Sequence, residues 1–518
     1  MSTLDERLRG ARTIGDWPAV IGLLDANWSS FMQGSRDVLR ETLNAMPAEV
    51  LEANARWIAA KDYLNFIPDS RTVRPVRYQH TASQPTGLLD VLAALTSRSC
   101  SDRFVGAFER AVETVREAHA TIADVPRESL VAIRPALAEL RMQWAITLEL
   151  GGYLTDAVHG FERSYDEALV FDDLRIAAVA AGSAAFLHAL LGDRDEAERW
   201  LTRVPEIDYE GRDAGRIAAG LARAVVALDE LDLDAAREAL DRLPDDDVSP
   251  EHWVMRQYVE SRYAVKFGDP RAQLVRLRAA QRSHLPSLSQ SGLNQWLLRC
   301  TEATLLLAVG DARGSRAAVQ GLPDSPAELA AESAAVVSAW AWLRSGEPAK
   351  ALAIAVANLA GSESIRASAE LWAVTAAALL QLEQPETAGN AFSTALRLVQ
   401  QHRLYTVLTR LDDSELAALT AAAGVAVPAP LSALRERANR HSFPRRARAA
   451  LTHRESVVLR HLVEGNSIDR IAELEHVSRN TIKTQMRSLF RKIEVTSRDE
   501  AVRLGLAHPE LWAPDGVA

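Results

Sequence analysis

Apolar residues recur at spacings of three and four positions along most of this chain, a pattern typical of amphipathic helices. It runs from Ser2 to about Asn65, where it predicts two or three helical hairpins (1–65), and resumes from Leu88 to about Leu411. Residues 66–87 contain three prolines and no amphipathic period, which predicts an irregular loop that is either functional or mobile. No alternating β-branched run is long enough to predict a strand, so the predicted fold class is all-α.

A unit of two helices repeats between residues 88 and 423. An apolar helix ends at a small turn, and the next helix opens with acidic residues and an alanine. The turn positions follow one another at intervals of 36 to 42 residues: Gly152, Gly192, Leu231, Gly268, Gly310, Gly346 and Glu383. With aromatic residues such as Phe161 and Phe392 on the second helix, the unit resembles degenerate tetratricopeptide repeats. The resemblance implies a superhelical array of helical hairpins whose concave surface binds a small ligand or a protein.

Residues 424–449, with three prolines and a basic cluster, predict a linker that contains a short helix from about Leu431 to Asn439. The cluster of Arg445, Arg446 and Arg448 either follows DNA phosphates or is a solvated hinge.

Residues 450–518 carry the pattern of a helix-turn-helix. Thr452 and Glu455 form the T-x-x-E capping box at the start of a first helix that ends at Gly465. A short second helix spans Ile468 to Glu475, and Ser478 is a suitable N-cap for a third helix that ends at about Ile493. The third helix has one apolar face and one polar face, each at helical spacing. The apolar face holds Ile482, Met486, Leu489 and Ile493, and the polar face holds Asn480, Lys483, Thr484, Arg487 and Arg491.

The charge distribution changes how this segment is interpreted. The net charge of the whole chain is −10, which argues against nucleic acid as a partner. Residues 441–518, however, hold 13 Lys and Arg against 10 Asp and Glu, so they carry +3 and the remainder carries −13. The segment from His476 to Arg498 contains six basic residues and a single acidic one, Glu494. A local basic patch on an acidic protein fits a DNA contact with low non-specific affinity.

The C-terminal segment resembles the LuxR-type DNA-binding domain in residue order and spacing over about 55 residues. The matching positions are Leu451, Thr452, Arg454, Glu455, Val458, Leu459, Gly465, Ser467, Ile471, Ala472, Val477, Ser478, Thr481, Ile482, Lys483, Lys492, Ile493, Val495, Arg498, Ala501 and Val502. The resemblance implies a four-helix domain that binds double-stranded DNA, with its third helix in the major groove. It also implies a fourth helix, from about Ser497 to Ala507, that can form a homodimer with the same helix of a second subunit.

The resemblance also implies roles for individual side chains. Lys483, Thr484 and Arg487 stand at the family's base-reading positions. Positions that contact phosphates or hold the domain in place are occupied by Ser478, Asn480, Thr481, Arg491, Lys492 and Arg498.

The segment departs from the family pattern at several positions. Ile468, Asp469 and Arg470 replace the usual Asn-Lys-Glu, which removes a phosphate contact and introduces an acid. Glu475 replaces a core leucine, with Leu474 one position earlier, which predicts a rotated or less stable second helix. Gln485 and Glu494 replace a histidine and a glycine.

The N-terminal portion resembles the helical regions of MalT-like regulators, but the chain has no G-x-x-x-x-G-K-[ST] motif for an ATPase module. No catalytic motif or metal-ligand spacing occurs, so we expect neither an enzyme nor a metal or cofactor site. Cys100 and Cys300 are expected to be buried small hydrophobes. Without a signal peptide or an uncharged apolar stretch of membrane length, we expect a cytoplasmic protein with no membrane partner.

Two hypotheses for function remain open from the residues. The first is a sequence-specific DNA-binding transcriptional regulator whose helical repeat array senses a ligand or a partner protein. The second is a tetratricopeptide-type interaction scaffold whose helix-turn-helix has decayed and serves dimerisation only. Asp469 and Glu475 favour the second hypothesis, whereas Lys483, Arg487 and Lys492 favour the first.

Overall fold

The computed structural model describes residues 4–66, 87–204, 214–243, 251–322, 328–359, 364–435, 451–493, 495, 497–507 and 511–512. Contacts divide the chain into two compact units, Met1–Ala426 and Val427–Ala518. The predicted loop at 66–87 and the basic cluster Arg445, Arg446 and Arg448 lie almost entirely outside the described residues. The five-part division of the chain made from the sequence stays a prediction.

The first unit consists of twenty-two α-helices within its described residues. Five precede the predicted loop: α1 Leu4–Thr13, α2 Trp17–Gly34, α3 Arg36–Ala45, α4 Ala48–Glu52 and α5 Ala55–Phe66. The next eight are α6 Leu88–Phe104, α7 Phe108–Ala123, α8 Arg127–Gly151, α9 Leu154–Val170, α10 Leu174–Leu191, α11 Arg194–Arg203, α12 Ala214–Asp229 and α13 Leu233–Asp241. The last nine are α14 Trp253–Phe267, α15 Pro270–Ser283, α16 Gly292–Ala308, α17 Ala312–Val319, α18 Glu328–Leu343, α19 Pro348–Leu359, α20 Ile365–Gln381, α21 Pro385–His402 and α22 Asp413–Ala423. Short 3-10 helices occupy Pro286–Ser289 and Tyr405–Arg410.

The second unit begins with a short helix α23 at 429–435, where the sequence predicted one from about Leu431 to Asn439. Four helices follow: α24 His453–Val463, α25 Ile468–Leu474, α26 Arg479–Lys492 and α27 Arg498–Ala507. No strand occurs among the described residues of either unit. The predicted all-α fold, an array of tetratricopeptide-like hairpins followed by a small helix-turn-helix domain, is confirmed.

The hairpin turns follow the repeat that the sequence predicts. Four of the predicted turn glycines, among them Gly152 and Gly192, have positive φ angles, as a tight helix-to-helix turn requires. Leu231 and Glu383, which replace glycine in the pattern, also adopt positive φ, at 64° and 61°. Gly268 differs, since its φ is −122°. The turn geometry is therefore kept in two repeats that lack glycine.

An aspartate follows the turn in most repeats and begins the second helix. Asp193, Asp232 and Asp311 each accept a hydrogen bond from the backbone amide three residues later. Asp269 accepts from the amides of Arg271 and Ala272. These caps satisfy amides that have no partner within the helix, which explains why acidic residues recur at this place in the repeat.

The array also makes contacts between repeats that are far apart in sequence. The guanidinium of Arg366, at the start of α20, donates to the carbonyl oxygens of Leu190 at 3.1 Å and Ala189 at 2.6 Å, at the end of α10. A Cβ atom on Gly192 would lie 2.8 Å from the backbone nitrogen of Arg366, so only glycine fits this close approach. First helices of distant hairpins therefore contact one another inside the array.

The helix α10 is long and apolar enough, by length and composition, to cross a membrane. In the structure 83% of this helix is buried inside the protein. Its apolar character is explained by its position, because α8, α9, α11, α12 and α20 all pack against it.

Candidate nucleic-acid interface

Side-chain caps fix the start of each of the three helices α24, α25 and α26. The capping box between Thr452 and Glu455 is present in both directions, as predicted. The side chain of Ser467 accepts from the amide of Arg470 at 3.2 Å. The side chain of Ser478 accepts from the amide of Thr481 at 3.1 Å, and their hydroxyls lie 2.8 Å apart. Ser478 and Thr481 thus hold the first turn of α26.

The two faces of α26 separate as the sequence pattern predicts. The buried face consists of Ile482, Met486 and Leu489, which pack with the buried apolar residues of α24 and α25. The side chains of the opposite face are exposed: Asn480, Lys483, Thr484, Arg487 and Arg491. Lys483 and Arg487 make no hydrogen bond or ion pair with other described residues, so both cations are available to a partner.

The hydroxyl of Thr484 donates to the carbonyl oxygen of Asn480 at 3.0 Å, one turn earlier in α26. The hydroxyl proton is therefore engaged within the helix, although the side chain as a whole is exposed.

Lys492 lies at the end of α26, and its ammonium points into the domain. Its Nζ lies 2.7 Å from Oε2 of Glu455, whose side chain is almost fully buried. Burial alone would raise the pKa of Glu455, but hydrogen bonds from Lys492, Thr452 and Ser488 lower it to about 2. The charged carboxylate thus joins the start of α24 to the end of α26.

Arg498, the first residue of α27, donates from Nη2 to the carbonyl oxygen of Asn466 at 2.7 Å. This bond connects α27 to the turn between α24 and α25. Like Lys492, Arg498 therefore has a partner inside the domain.

Asp469, one of the departures from the family pattern, faces the start of α26. Its Oδ1 lies 2.8 Å from Nε of Arg479, and both side chains are more than half exposed. The neighbouring Arg470 pairs with Glu473 at 3.0 Å. The acid therefore partly neutralises Arg479, a cation close to the exposed face of α26.

Glu475, the second departure, accounts for a contact that the sequence did not predict. Its Oε1 lies 2.9 Å from Nε2 of His461, and Nδ1 of the same ring lies 3.0 Å from Oε2 of Glu464. Ile471 and Ala472 remain in the core, whereas Leu474 is 40% exposed. Glu475 therefore has a hydrogen-bond partner in a buried histidine. The expectation of a rotated or less stable second helix stays a prediction.

The fourth helix packs on the first. Gly505 of α27 lies so close to α24 that an added Cβ atom would be 2.5 Å from Cγ2 of Val463. Beyond this helix, Leu511 is buried in the domain core and Nε1 of Trp512 donates to the carbonyl oxygen of Gly505 at 2.8 Å. Sequence reasoning ended the last helix at the correct residue but did not identify these two core residues.

Within the described part of the chain, no group of three or more His, Cys, Asp or Glu side chains is placed to hold a metal ion.

Comparison with known proteins matches the sequence of this segment to a protein family. Residues 449–504 match the family described as "Bacterial regulatory proteins, luxR family". The "CsgBAC operon transcriptional regulatory protein" of Escherichia coli is 41% identical over 69 residues, which are 13% of this chain and 28% of that protein. The "Probable csgAB operon transcriptional regulatory protein" of Salmonella typhimurium matches with the same identity and coverage. This chain thus aligns with less than a third of the length of these relatives.

The solved structure described as "Crystal structure of APC/C hetero-tetramer Cut9-Hcn1" covers 85% of this chain and 96% of its own, at 12% identity and a TM-score of 0.32. A similarity of this degree has no bearing on function. The segment that matches the luxR family of bacterial regulatory proteins, residues 449–504, contains α24, α25, α26 and most of α27.

Proposed function

We propose that this chain is a sequence-specific DNA-binding transcriptional regulator that acts in the cytoplasm and has no enzymatic activity. The observation that carries the proposal is the division of α26 into a buried apolar face and an exposed face with Lys483, Thr484 and Arg487. An exposed helical face alone is ordinarily only solvated. Here it belongs to a luxR-family domain and bears two cations without a partner among the described residues.

The contacts suggest how the site residues divide between two roles. Lys483 and Arg487 are free to donate to guanine O6 and N7, and the Thr484 methyl is free to contact thymine. Arg491 and Asn480 are exposed on the same face and are assigned to phosphates. Four further residues are assigned to positioning, because each already has a partner inside the domain: Ser478, Thr481, Lys492 and Arg498.

The same proposal includes two further partners. The helical array senses a small ligand or a protein, as its repeats suggest. The chain forms a homodimer through α27, whose Val502 and Leu504 are only half-buried within the domain.

The proposal is tested by selecting bound DNA from a pool of random duplexes with the full-length protein. The proposed function predicts enrichment of a defined sequence, which Arg487→Ala blurs at particular base positions. The matched control is Arg313→Ala, an exposed arginine of the helical array, which leaves the selected sequence unchanged. If the wild-type protein enriches no sequence, the chain is a scaffold whose helix-turn-helix does not read DNA.

A further inference from the structure

A cavity of about 110 Å³ lies within the helical array, between α14, α16, α18 and α20. One wall is apolar and consists of Leu293, Trp296, Leu297, Cys300, Val336 and Val337. Burial raises the pKa of the Cys300 thiol to about 12, so this wall carries no charge at neutral pH. A charged wall is formed by Arg262, Arg366, Glu370 and Arg410. We call this space the array cavity.

Arg366 in the charged wall is fully engaged. Its terminal nitrogens donate to both carboxylate oxygens of Asp229, at 2.8 and 2.6 Å. Arg262 shares the same carboxylate at 2.7 Å, and its Nε atom is buried without a hydrogen-bond partner. Two guanidinium groups therefore share one negative charge.

The guanidinium of Arg410 has hydrogen-bond donors that its partner Glu370 does not use. Its Nε lies 2.9 Å from Glu370, which also accepts from Nε1 of Trp340 at 3.1 Å. The terminal nitrogens of Arg410 make no hydrogen bond to other described residues, so they can donate to a ligand in the array cavity.

A further cation is close by. Lys266 is partly buried, interacts electrostatically with Arg410, Glu370 and Arg262, and has no hydrogen bond or ion pair within the described part of the chain. Burial, and then the charge of Arg410, lower the pKa of Lys266 to about 7, against the opposing effect of Glu370. Even without Lys266, the three arginines outnumber the two carboxylates that pair with them, Asp229 and Glu370, which leaves an excess of positive charge beside the cavity.

Thr301 supplies an independent indication of a ligand. It lines the array cavity and is only 3% exposed, and its hydroxyl has no hydrogen-bond partner. Buried hydroxyls are normally paired, because an unpaired one loses its hydrogen bonds to water without replacing them. A water molecule would satisfy Thr301, but it would neither balance the positive charge nor gain from contact with the apolar wall.

We propose that the array cavity binds a small organic anion, a carboxylate on a short aliphatic body. The carboxylate lies toward Arg410 and Thr301, and the apolar body packs against Trp296 and Val337. A cavity of about 150 Å³ accommodates the six carbon atoms of benzene, so a cavity of about 110 Å³ limits the ligand to roughly four to six non-hydrogen atoms. The inference deepens the proposed function by naming a ligand class for the array, but binding to the array cavity does not require DNA binding.

The test is isothermal titration of the full-length protein at pH 7 with propanoate and with 2-methylpropanoate. The uncharged amides of both acids, which have the same shape, and inorganic phosphate serve as controls. We expect the two carboxylates to bind and the amides to bind about ten- to a hundredfold more weakly, because the charge-assisted hydrogen bonds are lost. Absence of carboxylate binding, or phosphate binding as tightly as the carboxylates, would overturn the proposal.

Two variants locate the site without disturbing the fold. Thr301→Val keeps the side-chain shape and removes an unpaired hydroxyl, and Lys266→Met removes an ammonium that has no partner. Each is expected to weaken carboxylate binding at least about fivefold without lowering the thermal midpoint, because neither of the removed groups has a hydrogen-bond partner within the described part of the chain. The matched control is Lys350→Met at an exposed pair with Glu347, which leaves binding unchanged. If all three variants bind the carboxylates as tightly as the wild-type protein, the ligand binds elsewhere. This result would overturn the proposal for the array cavity even if the DNA selection enriches a defined sequence.

Discussion

Replacing Lys492 with methionine separates a positioning role from a phosphate-binding role at the end of α26. The ammonium lies 2.7 Å from the carboxylate of Glu455, and the side chain of Glu455 is only 6% exposed to water. The substitution keeps the length of the side chain and leaves this carboxylate without its cation. If Lys492 holds the domain together, the variant should loosen the domain and still bind DNA with the same salt dependence.

The size of the effect follows from the pKa of Glu455. Its fall from an ordinary 4.5 to about 2 corresponds to about 3 kcal/mol of stabilisation of the folded domain at neutral pH. Thr452 and Ser488 share this stabilisation with Lys492. Since the Lys492 side chain is 27% exposed, water screens part of the attraction, and we assign about 1–2 kcal/mol to the ammonium.

The assay is native-state hydrogen exchange of the α24 amides in the full-length protein, because these amides report local opening of the domain. Lys492→Met should accelerate their exchange by about 5- to 30-fold. Lys483→Met is the matched control on the same helix. It removes an exposed lysine without a partner, so it should leave exchange unchanged and weaken DNA binding.

The reasoning is refuted if Lys492→Met leaves exchange unchanged and reduces the salt slope of DNA binding by about one, the signature of a lost phosphate contact. The pH dependence offers a second check. Because the folded-state pKa of Glu455 lies below its unfolded value, its contribution is complete above about pH 4.5 and is lost as pH falls toward 2. Glu455→Gln should remove that part of the acid sensitivity.

Three further substitutions, the last with a matched control, test the base contact, the acid beside α26 and the turn geometry. Arg487→Ala should weaken binding to the selected DNA site by about 1–3 kcal/mol and binding to random DNA far less, measured by fluorescence anisotropy; equal losses would contradict base reading. Asp469→Asn should free Arg479, strengthen binding to all sequences and steepen the salt slope by up to about one, whereas unchanged affinity would show that this exposed pair does not matter. Glu383→Gly should raise the free energy of unfolding by up to about 1 kcal/mol, because Glu383 has a φ of 61° that glycine adopts without strain. Glu386→Gly, within the first turn of α21, should lower it by about 0.5–1 kcal/mol in the same urea titration.

The hairpin repeat could be predicted because its signals are local. A turn followed by an aspartate cap repeats at a nearly constant interval, and the pattern located the turns at Leu231 and Glu383 even without glycine. The same interval also located the turn at Gly268, but it did not predict the backbone conformation of that residue. Asp269 and Pro270 follow it, and the chain enters α15 from an extended conformation. In the same way, caps and helical spacing predicted the two faces of α26.

The features that could not be predicted depend on residues distant in sequence. Arg366 and Asp229 are 137 positions apart, and no local pattern indicates that they meet beside the array cavity. Glu475 was expected to disturb α25, since the sequence does not show that His461 lies within hydrogen-bond distance. The resemblance implied either a phosphate contact or a domain-positioning role for Lys492 and Arg498. Their hydrogen-bond partners in the structure favour the positioning role.

The salt dependence of DNA binding by the full-length protein tests the central claim most directly. The claim is that the exposed face of α26 binds DNA. With a duplex obtained by selection, the logarithm of the affinity should fall linearly with the logarithm of salt concentration, by about 0.9 for each phosphate neutralised. Lys483→Met should weaken the binding. Absent or salt-insensitive binding, or binding unaffected by both Lys483→Met and Arg487→Ala, would contradict the claim.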